Sequence, residues 1–384
     1  MIPYGRQTIS ESDLANVEAV LRSDFLTQGP CVANFEKALC VATGSLHAIA
    51  VNSATSALHL ACLALGLGEG DVLWTSPITF VASANCALYC GASVDFVDID
   101  PLTWTMSPIA LRAKINETLA ARLPLPKIII PVHFAGQSAD MEAISSIART
   151  YDIRIIEDAA HAIGASSVQG LIGNCAFSDV TVFSFHPVKI ITTGEGGAAL
   201  TNDSRIARRI EILRTHGITR ETSEMMPNAI AEPWYYEQID LGYNYRLTDI
   251  AAALGSSQIQ RLNEFVVRRN LIADKYDHFF SNMEIQRQLV PPEDRSARHL
   301  YVARFPEKNR NFMFNSLRAA GIGVNLHYIP VYRQPYFAKM GFIPEKFPAS
   351  EKFYREAISL PIFPAMLESE QEYVCSVIDR ELRA

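Results

Sequence analysis

The chain has 384 residues, which corresponds to about two or three domains of ordinary size. Hydrophobic residues make up 49% of it and charged residues 20%, so it has enough apolar material for a large core and too little charge for a disordered protein. Its 34 Lys and Arg residues against 41 Asp and Glu residues give a net charge of −7. This acidic balance argues against a protein that binds nucleic acid non-specifically.

The opening residues and the cysteines bear on the compartment in which the protein works. Residues 1–10 contain no basic stretch followed by an apolar one, and no run of about 18 apolar residues occurs later, so we expect neither a secretory signal nor a membrane span. The seven cysteines are odd in number and form no CxxC pair or Cys/His cluster, so we predict no disulfide framework and no metal site. These features predict a cytoplasmic globular enzyme.

Residues 47 to about 200 alternate short apolar runs with helix-like segments, a pattern typical of βαβ units around a largely parallel sheet. Most of the apolar runs are continuous in Val, Ile, Leu and Phe, as expected for strands covered on both faces. The predicted strands are His47–Val51, Val72–Thr75, Val94–Val97, Lys127–Val132, Ile153–Ile156, Val180–Phe185 and Ala198–Leu200. The predicted helices are Thr55–Leu65, Phe80–Tyr89, Asp140–Tyr151 and Asp203–Thr215.

The chain changes character after this region. Residues 219–240 are polar, carry Pro227 and Pro233 and contain three consecutive aromatic residues at 234–236. This composition predicts a long ordered loop, and long loops inside compact domains often take part in function. A helical pattern then extends from Leu247 towards Phe280 and is expected to lead into a smaller C-terminal α/β domain. We therefore predict a large domain with an N-terminal segment over residues 1–259 and a small domain over residues 260–384.

Two residues of opposite charge follow predicted strands of this sheet. Asp158 comes just after the run at 153–156 and Lys189 a few residues after the run at 180–185. Open α/β sheets bind ligands outside the carboxyl ends of their strands, so we expect both residues near one crevice. Val188 and Ile190 flank the lysine, and partial desolvation there would lower its pKa and favour the neutral amine that attacks carbonyl groups.

This pair of residues matches the needs of pyridoxal phosphate. That cofactor requires a lysine amine for its Schiff base and a carboxylate to keep its ring nitrogen protonated. A structural ion pair between Lys189 and Asp158 at the sheet edge is an equally good interpretation of the two residues alone.

A possible phosphate site follows the first predicted strand. The segment 52–57 (NSATSA) opens a predicted helix, and free N–H groups with small hydroxyl residues at a helix N-terminus bind anions readily. Ordinary capping by Ser53 or Thr55 would produce the same pattern. Ser184, five residues before Lys189, could add a hydroxyl group to the same phosphate.

Three further features have both a functional and an ordinary interpretation. Phe80 could stack on a flat cofactor or belong to the core, and His161 could hydrogen-bond the cofactor or be a buried structural histidine. The segment 192–197 (TTGEGG) precedes a strand rather than a helix, so it predicts a tight turn near the site and not a dinucleotide fingerprint. The sequence also lacks a P-loop motif.

Together these residues resemble the fold-type-I pyridoxal-phosphate enzymes, and more narrowly the DegT-like sugar aminotransferases. The resemblance extends over nearly the whole chain. It is strongest in LTQGP (26–30), NSATSALHLA (52–61), SPITFVASANC (76–86), PVHFAGQ (131–137), EDAAHAIG (157–164), SFHPVKIITTGEGG (184–197) and LGYNYRLTDIAAALG (241–255). It implies an α/β fold whose large domain has a mostly parallel seven-stranded sheet and whose smaller C-terminal domain is also α/β.

The resemblance also implies roles for individual residues. Lys189 would be the catalytic lysine that carries the cofactor, and Asp158 would pair with its ring nitrogen. Other cofactor contacts would be Ala54, Thr55 and Ser184 at the phosphate, Phe80 and Ala160 on the two ring faces, His161 at the phenolate oxygen, where many members of the family have Gln, and Asn244 from a partner subunit. Substrate contacts would be Tyr4, Asp24, Phe25, Leu26, Thr27, Arg246, His327, Tyr328, Ile329 and Pro330.

The implied reaction transfers an amino group in two halves through pyridoxamine phosphate, with L-glutamate as donor and ping-pong kinetics. Within the family, the EDAAHA, SFHPVK and PWYYEQIDLGYNYRL segments look most like the UDP-sugar 4-aminotransferases of pseudaminic acid synthesis. The alternatives are an aminotransferase for a dTDP- or GDP-4-keto-6-deoxysugar and a non-catalytic regulatory homologue. The resemblance implies a homodimer with shared active sites. We expect neither a nucleic acid nor a membrane as a partner.

Overall fold

The computed structural model describes residues 1–226 and 232–383 and has the mixed α/β architecture that the sequence predicts. Its helices are α1 (Glu11–Leu21), α2 (Pro30–Thr43), α3 (Ala54–Ala64), α4 (Ala82–Tyr89), α5 (Pro108–Ala120), α6 (Met141–Thr150), α7 (Ser204–Arg214), α8 (Asp249–Gln258), α9 (Leu262–Phe279), α10 (Glu307–Ala319), α11 (Pro335–Ala338), α12 (Pro348–Glu356) and α13 (Glu368–Arg383). Its strands are β1 (His47–Val51), β2 (Val72–Thr75), β3 (Ser93–Phe96), β4 (Ile128–Ile130), β5 (Arg154–Asp158), β6 (Ser166–Ser167), β7 (Gly170–Leu171), β8 (Val180–Ser184), β9 (Gly197–Thr201), β10 (Ile218–Thr219), β11 (Glu237–Gln238), β12 (Gln286–Arg287), β13 (Tyr301–Arg304) and β14 (Ala357–Leu360).

The central sheet has seven strands in the order β1-β9-β8-β5-β4-β2-β3. The five strands from β8 to β3 are parallel, whereas β9 is antiparallel to both β8 and β1. This arrangement confirms the mostly parallel seven-stranded sheet. It also brings the carboxyl ends of β1, β5 and β8 to the same edge, because β1 and β8 are both antiparallel to β9 and β5 is parallel to β8.

Alternating side chains of the sheet form two separate apolar layers. In β8, Val180 and Val182 pack with α3 and α4 on one face, while Phe183 packs with α2 and the start of α9 on the other. All three side chains are fully buried. Helices therefore cover both faces, which explains why the strands read as continuous apolar runs.

The predicted elements are all present, and their ends differ from the prediction by at most two residues. Two of these differences affect the site. Asp158 is the last residue of β5 rather than a residue beyond it, and Phe80 lies in the loop before α4 rather than at the helix start. Helices α1 and α2, before the sheet, were not predicted.

Between the sheet and the C-terminal part, the chain forms a short strand pair and two helices. Strand β10, at the start of the predicted loop 219–240, pairs in antiparallel fashion with β11 near its end, and Pro227 lies outside the described residues. The helical pattern from Leu247 towards Phe280 resolves into α8 and α9 with a short turn between them. No helix in the described ranges combines the length and the apolarity that a membrane crossing requires.

The C-terminal part has its own core, formed by α9, α10, α13, β13 and β14. The boundary at residue 260 stays a prediction, since apolar contacts cross it. Val331, Tyr332, Phe337 and Phe347 are buried in one apolar cluster with α3, α4 and β3. There the ring of Tyr332 packs edge-on against Phe96 of β3 with centroids 5.9 Å apart.

Candidate active site

A cavity of about 620 Å³ opens at the carboxyl ends of β5 and β8. Its walls come from three parts of the chain: the sheet edge, the N-terminal ends of α3 and α4, and residues 325–329 of the C-terminal part. Ligands of open α/β sheets bind at such an edge. The cavity therefore lies where the sequence predicted the crevice.

Asp158 lies at the end of β5, where two hydrogen bonds fix its carboxylate. Ser83 Oγ donates to Oδ2 at 2.6 Å, and the backbone N–H of Ala160 donates to Oδ1 at 3.1 Å. Thr79 Oγ1 lies 2.7 Å from Ser83 Oγ and acts as the donor in that pair, because the Ser83 hydrogen is used on Asp158. The carboxylate is thus oriented before any ligand arrives.

Lys189 lies in a turn after β8, with its backbone N–H donating to His186 O at 2.8 Å. Its side chain lines the cavity, and no group in the described part of the chain accepts a hydrogen bond from Nζ. Desolvation by the surrounding protein, partly opposed by the charge of Asp158, lowers the pKa of Lys189 to about 8. The lowering expected from the sequence is confirmed, and the amine is close to its neutral, nucleophilic form near pH 8.

The N-terminus of α3 forms the third side of the cavity. Ser53 caps the helix by accepting a hydrogen bond from Ser56 N at 3.1 Å, so capping does occur. The backbone N–H groups of Ala54 and Thr55 come before the first intrahelical bond and find no acceptor in the described residues. With the nearby Ser184 they can bind an anion such as a phosphate.

The glycine-rich turn at 192–197 brings the backbone close to this helix end. Gly194 has a φ of +82°, and an added Cβ at Gly197 would lie only 2.4 Å from Ala54 N. Glycine is therefore required for β9 to pass under the first turn of α3. The tight turn predicted near the site is confirmed.

His161 and Tyr328 form a hydrogen-bonded pair in the cavity wall. His161 Nδ1 accepts from Ala135 N at 3.2 Å, so Nε2 carries the hydrogen of the neutral ring and donates to Tyr328 Oη at 3.1 Å. The Tyr328 hydroxyl keeps its own hydrogen to donate elsewhere. The peptide bond between His327 and Tyr328 is cis.

Three histidines face the lysine as neutral rings. Burial lowers the pKa of His161 and of His299 well below the ordinary value, and Lys189 adds to both effects. Burial and then Lys189 lower the pKa of His327 to about 3. These side chains can offer hydrogen bonds without adding positive charge beside the lysine.

The structure brings most of the predicted site residues together. The cavity is lined by twelve of them, namely Lys189, Asp158, Ala54, Thr55, Phe80, Ala160, His161, Ser184, Tyr4, His327, Tyr328 and Ile329. Phe80 lies at the rim with 58% of its surface exposed, its ring 6.3 Å from that of Tyr328.

The remaining predicted residues do not line the cavity of the same chain. Asn244 is exposed, next to Thr215 in an isolated bridge, and Arg246 bridges Val51. Residues 24–27 are exposed on the surface before α2. Pro330 is buried and starts the turn that follows Ile329.

Two residues of the site were not predicted: Ser83, which holds the Asp158 carboxylate, and His299, which lines the cavity. Ser83 stands three residues after Phe80, so helical spacing towards the site was an available signal. His299 is buried with its ring centroid 4.4 Å from that of His161. It precedes β13 in the C-terminal part, and no local pattern indicated that this segment folds back onto the sheet edge.

Comparison with known proteins agrees with this geometry. A transaminase from Campylobacter jejuni, named as UDP-4-amino-4,6-dideoxy-N-acetyl-beta-L-altrosamine transaminase, is 38% identical over 97% of this chain and 96% of its own length. The spore coat polysaccharide biosynthesis protein SpsC of Bacillus subtilis is 36% identical over 98% and 96%. The Helicobacter pylori aminotransferase PseC, involved in pseudaminic acid biosynthesis, superposes with a TM-score of 0.90 at 29% identity and covers 100% of this chain and 99% of its own.

A family model supports the same assignment. Residues 7–379 match the model of the DegT/DnrJ/EryC1/StrS aminotransferases, whose members use pyridoxal phosphate. With nearly the whole chain matched and the lysine, the carboxylate and the helix N-terminus in one cavity, this chain belongs to the DegT/DnrJ/EryC1/StrS aminotransferase family.

Proposed function

We propose that the chain transfers the amino group of L-glutamate to C4 of a UDP-linked 4-keto-6-deoxy-N-acetylhexosamine. The product would be UDP-4-amino-4,6-dideoxy-N-acetyl-β-L-altrosamine, an intermediate of pseudaminic acid synthesis. The observation that carries the proposal is the lysine amine, with a pKa of about 8, facing the same cavity as Asp158 and the N-terminus of α3.

The residues present fit pyridoxal phosphate at three chemically distinct points. Lys189 offers an amine for the aldehyde, Asp158 a fixed carboxylate for the ring nitrogen, and the α3 N-terminus free N–H groups for the phosphate. When bound, the cofactor supplies an aldehyde carbon that exchanges amino groups and a protonated ring that withdraws electrons. Phe80 and Ala160 would contact the two ring faces, and Ser184 the phosphate.

Lys189 is the residue that moves protons in this proposal. Its amine removes the proton from the α-carbon of glutamate in the first half-reaction and delivers a proton to C4 of the sugar in the second. A general acid and base works best with a pKa near the working pH, which the desolvated amine satisfies. The histidines beside it are neutral because burial lowers their pKa values, so the lowered pKa of Lys189 comes from desolvation and not from neighbouring positive charge.

His161 would bind the cofactor phenolate through a ring nitrogen, although both nitrogens have protein partners here. Its bond to Tyr328 is the one that a ligand could replace, since the Tyr328 hydroxyl faces the cavity and the Ala135 amide belongs to the fixed backbone. Tyr4, His327, Tyr328 and Ile329 would contact the sugar nucleotide from the other side of the cavity.

A second copy of the chain would complete the site. Asn244 and Arg246 do not line the cavity of their own chain, and neither do residues 24–27, which are exposed. Their positions suit contacts to a partner's cavity, with Asn244 at the phosphate. We therefore propose a homodimer with shared active sites that works in the cytoplasm, where glutamate and nucleotide sugars are available.

The proposal is tested by the purified enzyme with glutamate and matched ketosugars. The UDP-linked 4-keto-6-deoxy-N-acetylhexosamine should give the highest kcat/KM. NMR of the product should show an amine at C4 and the L-altro configuration of the sugar. Preferred turnover of a dTDP- or GDP-linked ketosugar would transfer the assignment to that substrate. A colourless protein that no ketosugar turns over would instead indicate a non-catalytic homologue.

Borohydride reduction tests the cofactor site separately. Reduction should fix the cofactor onto Lys189, and mass spectrometry of the peptides would identify the modified lysine. A label on another lysine would refute the role of Lys189 even if the enzyme were active.

A further inference from the structure

A histidine and a glutamate are hydrogen-bonded to each other close to the active site but outside its cavity. His133 Nε2 lies 2.6 Å from Glu157 Oε2, and both residues are buried. Glu157 precedes Asp158 in β5, so its side chain points to the opposite face of the sheet. Neither His133 nor Glu157 lines the cavity. The proposed aminotransferase chemistry therefore gives this pair no direct role.

Each polar atom of the pair has a partner. His133 Nδ1 accepts a hydrogen bond from Ala139 N at 3.0 Å, so the neutral ring carries its hydrogen on Nε2 and donates it to Glu157 Oε2. Glu157 Oε1 accepts from Ser178 Oγ at 2.5 Å and from Thr181 Oγ1 at 3.2 Å. These bonds satisfy a buried carboxylate and a buried ring together, and they fix the position of His133.

His133 is connected to both ends of the turn at residues 133–139, which follows β4. Its backbone N–H donates to Asp158 O at 3.0 Å where the turn begins, and its ring accepts from Ala139 N where the turn ends. Within the turn, Ala135 has a φ of +60°, a left-handed conformation that is unfavourable for a residue with a Cβ atom. A conformation of this kind persists when the surrounding contacts fix it, and His133 supplies contacts at both ends.

The C-terminal part holds the middle of the same turn. Ala297 N donates to Gly136 O at 3.0 Å, and Leu300 N donates to Ala135 O at 3.3 Å. These bonds reach carbonyl oxygens and leave the N–H of Ala135 for another acceptor. Because they remain when His133 is changed, loss of its ring bond should loosen the turn without unfolding the protein.

The turn reaches the active site through the amide of Ala135. Ala135 N donates to His161 Nδ1 at 3.2 Å, which leaves the hydrogen of the neutral His161 ring on Nε2. Nε2 lies 3.1 Å from Tyr328 Oη in the cavity wall. Without the Ala135 amide, either ring nitrogen could carry the hydrogen, and Nε2 would become a donor for only part of the time. The position of the hydrogen on His161 therefore depends on a turn that His133 holds.

We propose that His133 is a positioning residue of the active site. Paired with Glu157, it fixes the turn so that the hydrogen of His161 stays on Nε2. This hydrogen would be donated to the cofactor phenolate, and the role therefore rests on the proposed function. A hydrogen bond to the phenolate favours its charged form, so it lowers the pH at which the bound cofactor loses its proton.

The pH midpoint of the cofactor absorbance in purified holoenzyme tests this role without any turnover. His133→Gln keeps a side chain that can donate to Glu157 but removes the ring nitrogen that accepts from Ala139 N. The midpoint should rise by about half a unit to one unit, the equivalent of one hydrogen bond. His278→Leu, which changes an exposed histidine, is the matched control and should leave the midpoint unchanged.

A double variant shows whether His133 acts through His161. His161→Leu alone should raise the midpoint at least as much as His133→Gln, and the two changes together should cause no further rise, because residues that act through one group are not additive. His133→Gln leaves the other titratable groups that face His161 unchanged, namely Lys189, His299, His327 and Tyr328.

Hydrogen exchange of the cofactor-free proteins provides a second readout. The backbone amides of residues 133–139 should exchange about tenfold faster in His133→Gln than in wild type, whereas His278→Leu should match wild type. Glu157→Gln, which keeps the size of the side chain, should give smaller changes in both measurements and decides the question if His133→Gln does not fold.

Two results would overturn the role of His133. One is an unchanged midpoint in a folded variant that binds the cofactor, and the other is a further rise in the double variant. Absence of any cofactor absorbance in the wild-type protein would instead refute the proposed function itself.

Discussion

Lys189 lowers the free energy of unfolding of the cofactor-free chain, and its role in the site explains why such a residue is present. The folded state holds the amine at a pKa of about 8 against an ordinary value of 10.5. Each pKa unit corresponds to about 1.4 kcal/mol, so below pH 8 the partly buried charge destabilises the cofactor-free fold by about 3 kcal/mol. Such residues are typical of functional sites, where the cofactor rather than the protein satisfies the group.

We therefore expect Lys189→Met to raise the free energy of unfolding of the cofactor-free protein at pH 7. The unfolded chain binds one proton more than the folded chain between about pH 8 and pH 10.5, so wild-type stability rises with pH in that window and the advantage of the variant shrinks. Urea unfolding at pH 7 and pH 10 measures both effects. The exposed Lys37→Met serves as control, and an advantage of the methionine that does not change with pH would contradict the prediction.

Lys189→Ala should retain the cofactor by its non-covalent contacts and lose turnover by at least about 10²- to 10⁴-fold, the usual contribution of a general acid or base. Absorbance after gel filtration measures retained cofactor, and kcat with glutamate and the ketosugar measures turnover. Lys37→Ala should behave as wild type. Rates close to normal in Lys189→Ala would refute the proton-transfer role.

At the level of single residues, the sequence predicted the groups that follow strands and missed those that come from elsewhere. Asp158 and Lys189 could be found because strand ends are visible as the ends of apolar runs. His299 could not, because its place depends on how the C-terminal part folds back onto the sheet edge. The likeness to a known family supplied Tyr4, His327, Tyr328 and Ile329, which local patterns alone did not indicate.

Strands and helices were predicted well because each face of the sheet is covered. Strands buried on both faces read as apolar runs such as Val180–Phe185, and this signal does not depend on distant contacts. The exact ends depend on hydrogen bonds across the sheet, which explains why Asp158 belongs to β5: its carbonyl accepts from His133 N, and its own N–H donates to Pro131 O. The direction of β9 was likewise invisible in the sequence.

The contact between β9 and α3 yields a prediction about these two elements. Gly197→Ala would place a Cβ 2.4 Å from Ala54 N and 2.6 Å from Ser53 C, so the first turn of α3 must shift. Overpacking of this kind costs about 1–3 kcal/mol, and we expect the affinity for pyridoxal phosphate to fall by about tenfold or more. Titration of cofactor-free protein measures it.

The control for this variant is Gly68→Ala, where an added Cβ meets nothing within 4 Å. It should bind the cofactor as wild type does. If Gly197→Ala bound the cofactor with unchanged affinity, the α3 N-terminus would not be the phosphate site.

For the molecule as a whole, local sequence patterns do not reveal which predicted residues share a cavity within one chain. Asn244 and residues 24–27 are exposed and do not line the cavity of their own chain, and in the proposed dimer they would contact the cavity of the partner. The proposed dimer therefore makes a prediction about mixtures of inactive variants.

Lys189→Ala and Asn244→Asp proteins should each be inactive or weakly active as homodimers and recover activity when their subunits are exchanged. A mixed dimer has one site with both native groups if Asn244 acts across the interface, and the other site lacks both. If Asn244 acts within its own chain, each site of the mixed dimer lacks one group and no activity returns. Assays after co-expression with two affinity tags distinguish these outcomes.

The aromatic side chains of residues 331–347 have a consequence for how substrates enter. Tyr332, Phe337 and Phe347 are embedded beside Phe96, so swinging the C-terminal part away from the sheet would pull these rings into water. Packed interiors resist such separation. A sugar nucleotide would therefore reach Lys189 through the existing opening of the cavity, past rim side chains such as Phe80, and we expect the width of that opening to limit the size of the acceptor.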